Sequence, residues 1–110
     1  MTTLLVLTSL PSSAAAETLA RHLVDCRLAA CVNILGPCRS IYRWQGAVET
    51  ADEVPLLIKT SRDRYAALEA AIRESHPYEL PEVIALPIVD GLADYLNWVS
   101  RETGDAAGPA

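Results

Sequence analysis

Lysine is almost missing from the chain: Lys59 is the only one, and nine basic residues face fourteen acidic ones for a formal net charge of -5. Binding along a nucleic-acid backbone is driven by Lys and Arg displacing counterions, so this balance excludes a general phosphate-backbone binder. No apolar run approaches the roughly 18 residues of a membrane span. The amino terminus, MTTLLVLTSLPSS, has no basic residue ahead of its short apolar stretch, so no secretory signal is expected there. Cysteine is scarce as well. Cys26, Cys31 and Cys38 cannot all pair within one chain, and their spacing of four and six intervening residues matches no two-cysteine zinc knuckle. Reduced thiols in a cytoplasmic protein are the expectation. There is no HExxH pair, no glycine-rich phosphate loop and no GxSxG elbow, and no cysteine has an activating base near it in sequence, so the chain is not read as an enzyme.

What is present suits one domain. The 110 residues are 51% hydrophobic, but seventeen of these are alanine, so the bulky core is smaller than that fraction suggests. TLLVLT, Thr3 to Thr8, reads as a strand buried on both faces. The serines that follow cap a helix whose apolar stripe is Ala16, Leu19, Ala20, Leu23 and Val24. ACVNIL and RSIYRW read as one long strand with an irregularity at Gly36 and Pro37. Trp44, Gln45 and Gly46 turn it back into AVET and VPLLIKT, which makes a long β-hairpin. Ser61 or Asp63 is expected to cap a second helix that ends before His76 and Pro77. PEVIALPIV is expected to be a strand, and Leu92, Tyr95, Leu96 and Val99 mark a closing helix. This order is the split βαβ arrangement: a ferredoxin-like α+β fold with an antiparallel sheet and an added carboxyl-terminal helix. The domain is expected to span 1–103, with a disordered tail over 104–110.

The hairpin arms carry Ile41, Tyr42, Trp44, Val48, Leu56 and Leu57, too much apolar material for solvated strand edges, so self-association into a ring through these edges is expected. Two prolines and a tyrosine stiffen SHPYELPE, where His76, Tyr78, Glu79 and Glu82 offer polar groups from a rigid connection. The alternative is a rigid loop without a ligand. Lys59 ends an apolar strand; it either snorkels to solvent or meets a carboxylate such as Glu49, Glu53 or Glu82. Arg43 with Tyr42 and Trp44 offers a charged, stacking surface, or packing alone. Cys31, in AACVNI, is read first as a buried hydrophobe and second as a soft donor for copper.

LAACVNI, SIYRWQGAVE, EVPLLIKT, HPYELPEVIALP and DYLNWV resemble, in this order and spacing, the CutA family of divalent-cation tolerance proteins, from about Leu4 to Val99. The resemblance implies a homotrimer whose hairpins reach across to neighbouring subunits, with a role in tolerance of divalent cations, copper above all. It points to Lys59, Tyr78, Pro81, Glu82 and Trp44 as cleft residues and to Cys31 and His76 as metal candidates. Some members carry further thiols at the end of the first strand and in the second helix. The corresponding segments here, VLTS and LEAAIRES, have none. The implied function is a trimer that holds copper, another divalent cation or a small anionic effector between subunits. The alternative is an effector-sensing module like the PII signalling proteins, whose trimer the family's resembles.

Overall fold

The computed structural model describes residues 2–104; the expected tail therefore falls, apart from Gly104, outside the described residues. Strand β1 (Thr3–Leu10) leads into helix α1 (Ser13–Asp25), followed by β2 (Cys31–Ile34), β3 (Cys38–Trp44) and β4 (Ala47–Ser61). A 3₁₀ turn (Arg62–Arg64), helix α2 (Tyr65–Ser75), strand β5 (Ile84–Pro87) and helix α3 (Ala93–Glu102) complete the chain. All strand pairs are antiparallel in the order β2-β4-β1-β5, with β3 also on β4. This is the ferredoxin-like arrangement.

Alternation along β1 and β4 sorts their side chains onto two faces. Leu4, Val6, Leu10, Val54, Leu56 and Ile58 point into the core with Leu19 and Leu23 of α1 and Leu68 and Ile72 of α2. The other face is only half covered: Leu5, Leu7 and Leu57 are half-buried, so β1 is not buried on both sides as its apolar run suggests. α3 lies over one end of that face, where the Thr103 hydroxyl donates to the Val99 carbonyl at 2.7 Å and accepts from Ser61 Oγ at 3.0 Å. Of its stripe only Val99 is buried, and Leu92 is 75% exposed.

Caps and turns follow local chemistry. Ser12 Oγ accepts from Ala15 N–H at 3.1 Å and starts α1. Arg27, at φ 60°, closes that helix in the left-handed conformation usually given to glycine. Neither Ser61 nor Asp63 caps α2; the 3₁₀ turn precedes it and no side chain bonds its first turn. The fifth strand is shorter than PEVIALPIV: residues 84–87 pair with β1, and one further bond, Ile88 N–H to the Thr3 carbonyl at 2.9 Å, closes the ladder. The expected long strand is two strands. Between the Ile34–Leu56 and Cys38–Glu53 pairs, three residues (35–37) face two (54–55), and this extra residue shifts the register by one.

Beyond Val54, among the described residues, β3 is the one strand paired with β4. Residues 38–53 therefore form a two-stranded ribbon that projects from the sheet and stretches the molecule to 47 × 27 × 23 Å. Gln45 and Gly46 turn it with φ of 49° and 83°, both in the left-handed region of a two-residue hairpin turn.

Candidate functional site

Register and alternation place Tyr42 and Trp44 on one face of the ribbon together with Glu49 and Glu53. Arg39, Ile41, Arg43 and Val48 share the other, so Arg43 does not join the two aromatics in one surface. The connection from α2 to β5 folds against the first face. There Tyr42, Trp44, Tyr78, Glu79 and Leu80 line a recess of about 340 Å³.

His76 holds that connection in place. It is 8% exposed, its Nε2 lies 2.7 Å from the Ser9 carbonyl oxygen and its Nδ1 accepts from Tyr78 N–H at 3.1 Å. Those partners define a neutral ring with the proton on Nε2. The ring centroid is 4.7 Å from that of Tyr78. With both nitrogens bonded, no lone pair is left for a metal unless the bond to Tyr78 is given up. Burial first, then the Glu53 carboxylate beside its hydroxyl and nearby Tyr42, push Tyr78 up to about 12, so its phenol stays neutral over the physiological range.

A second group of residues lies on the half-covered sheet face. Cys31 stands opposite Lys59 in the β2–β4 register, and Lys59 Nζ donates to Asn33 Oδ1. Of the two alternatives for Lys59, the carboxylate partner gives way to this amide, because the register puts Asn33 next to Lys59 and sends Glu53 into the ribbon beside Tyr78. Tyr95 of α3 reaches Cys31, and burial together with that thiol raises its hydroxyl above the ordinary tyrosine range.

The two metal candidates do not converge within the chain. Ser9, which holds His76, is four residues along β1 from Leu5, the register partner of Lys59; that is about 13 Å along the strands and about 10 Å across two of them to Cys31. Among the described residues no three His, Cys, Asp or Glu side chains gather as a metal-sized cluster. Pro81 lines an adjoining groove with Glu69 and Arg73, which shares Glu79 and Leu80 with the recess, and Glu82 is exposed. Of the expected cleft residues, Trp44 and Tyr78 come together, Pro81 lies in the groove beside them, and Lys59 and Glu82 stand apart.

One close pair escaped the sequence reading. His22 and Cys26 meet on the exposed side of α1, with Sγ 3.7 Å from Nδ1. Their spacing of four residues in a helix was the available signal.

A split βαβ domain with a projecting ribbon and a helix over one end of the open face defines a ferredoxin-like α+β protein. Its relatives narrow the class. The family described as CutA1 divalent ion tolerance protein matches residues 4–102, and the chain belongs to it. The "Divalent-cation tolerance protein CutA" of Thermus thermophilus is 46% identical over 90% of this chain and 96% of its own length. The solved structure of the divalent cation tolerance protein Cut A1 from the same organism superposes with a TM-score of 0.91 at 45% identity, covering 93% of this chain and 99% of that one. A structure described as the periplasmic divalent cation tolerance protein CutA from Archaeoglobus fulgidus reaches 0.89 at 33% identity over 92% and 98%. The resemblance read from five sequence segments is thereby confirmed.

Proposed function

We propose that the chain acts in tolerance of divalent cations as a homotrimer, with ligands held where subunits meet. The ribbon carries this reading. Both its outer edges lack strand partners among the described residues, and Ile41 and Val48 are 70% and 65% exposed on one of its faces. A two-stranded ribbon alone is marginal in water, and a closed ring of three copies gives each ribbon a neighbour to pair with. The half-covered sheet face supports the same arrangement, with Ile84 and Leu86 of β5 beside Leu5 and Leu7.

In that assembly Cys31 is the soft donor for copper, on a face that symmetry can bring together with its copies. Lys59 offers the positive charge for an anionic group. His76 joins the copper site only by releasing Tyr78. Glu82 is a hard oxygen donor at the rim. Three free thiols fit a cytoplasmic setting, and no helix among the described residues is long and apolar enough to cross a membrane. A PII-like mode would rest on the clefts alone, because the ribbon turn is only two residues long. No catalytic step is assigned.

Sedimentation of the full chain, followed by calorimetric titration with copper, tests the proposal. Three copies per particle and weaker copper binding in Cys31→Ser are expected. A monomer at micromolar concentration would remove the subunit clefts, and copper heats unchanged in both Cys31→Ser and His76→Ala would remove these ligands.

A further inference from the structure

We propose that the recess beneath the ribbon binds a small organic cation, an alkylammonium or quaternary ammonium group, seated against Tyr42, Trp44 and Tyr78. This goes beyond the reading above: Trp44 and Tyr78 are two of the expected cleft residues, but the recess they line is formed by one chain. Half of the chain's two tryptophans and four tyrosines, taken together, converge here. Aromatic faces carry negative quadrupole charge and attract cations within about 6 Å of the ring centre. A volume of about 340 Å³ suits a headgroup rather than a large metabolite.

Most charges around the recess have the matching sign; the exception is Arg73, which shares the adjoining groove with Glu79 and Leu80. Glu79 lines it, Glu53 stands beside Tyr78, and Glu49 faces Tyr42 across the ribbon. Among the described residues no lysine or arginine lines it. Arg39 and Arg43 occupy the opposite ribbon face, where Arg39 lies 3.4 Å from Asp52. An anion would therefore meet carboxylates and ring faces without a compensating charge, which separates this recess from Lys59. A bare divalent ion is also a poor fit, since it demands several converging oxygen or nitrogen donors and one carboxylate lines the wall. A bulky, weakly hydrated cation gives up little solvation on entering an aromatic wall.

The recess is built in advance. Tyr78 is fixed through its backbone and its ring by His76, which is itself tied to Ser9, so a ligand need not order this wall. Ile41 and Val48 lie on the far side of the ribbon, so contacts made through them do not touch the recess lining.

Choline chloride and its uncharged carbon analogue, with a quaternary carbon in place of nitrogen, are the probes, read by calorimetry and Trp44 fluorescence on the full chain. Choline is expected to bind about tenfold or more tightly than the analogue. Tyr78→Phe should retain binding within about threefold, Tyr78→Leu and Trp44→Leu should lose about tenfold, and Glu79→Gln should weaken it severalfold, most at low salt. Equal affinity for the two probes, no binding of choline at millimolar concentration, or folded leucine variants that bind choline like the parent would overturn the proposal. Should the leucine variants fail to fold, the comparison of the two probes on the parent still decides. All five lining residues come from one chain, so sedimentation judges the trimer separately. A monomer that binds choline sinks the assembly and keeps the recess; a trimer that ignores it sinks the recess alone.

Discussion

Thr8 is 1% exposed among leucines and isoleucines, and its hydroxyl has no hydrogen-bond partner among the described residues. Leaving a buried hydroxyl unpaired costs about 1–3 kcal/mol, and valine has nearly the same shape without it. Thr8→Val should therefore stabilise the fold by about 1–2 kcal/mol, seen as a higher urea midpoint with an unchanged slope at fixed protein concentration. A lower midpoint would mean that the hydroxyl is bonded after all. Tyr78 gives a prediction with the opposite pH sense from a salt-bridged carboxylate. Its phenol ionises near pH 10 in the unfolded chain and at about 12 when folded. Between these values the folded state keeps a proton that the unfolded state has lost, so the stabilisation is whole below pH 10 and disappears as pH rises through 12. Tyrosinate absorbance should show a component near pH 12, and Tyr78→Phe should remove it. A curve that keeps this component in the variant assigns it to Tyr65 or Tyr95, whose hydroxyls are also raised.

Elements differ in how much of them local chemistry dictates. The ribbon turn is one place where sequence and backbone disagree: Gln45 sits at φ 49°, a region that asparagine tolerates better. Gln45→Asn should stabilise the ribbon by several tenths of a kcal/mol, read as slower hydrogen exchange of β3 amides; faster exchange would show that the glutamine side chain supports the turn. Helix α1 was legible because its stripe, its serine cap and its length agree. The α2 start was not, since a 3₁₀ turn satisfies the chain there without a side-chain cap. The break between β2 and β3 was visible as Gly36 and Pro37, yet its consequence, a one-residue slip, depends on what β4 presents opposite. That slip is also why the recess was only half readable. Trp44, Tyr78 and Glu79 stood out by type, but Glu53 reaches Tyr78 through the shifted register, and His76 becomes a structural clip through the Ser9 carbonyl 67 residues away in sequence.

At the scale of the whole molecule the unfinished part is the ribbon, and charge placed on it separates folding from assembly. Ile41 and Val48 are exposed on one face of the ribbon and diagonal to each other across it, since Ile41 pairs with Thr50 and Arg43 with Val48. If a neighbouring copy covers them, each contributes about 1.5–3 kcal/mol on full burial, three times over in a closed ring. A glutamate at each position replaces that gain with the cost of an unpaired buried charge, several kcal/mol per site. The protomer itself loses little, because neither side chain belongs to its core. Ile41→Glu combined with Val48→Glu should therefore keep the far-ultraviolet circular dichroism of the folded chain while its sedimenting mass falls to that of one copy. The single variants should show a trimer that dissociates on dilution. Choline binding should survive in the double variant, because Tyr42 and Trp44 occupy the opposite face. A double variant that sediments with the parent would show that copies meet through some other surface, with the open sheet face of Leu5, Leu57 and Leu86 the next to be charged.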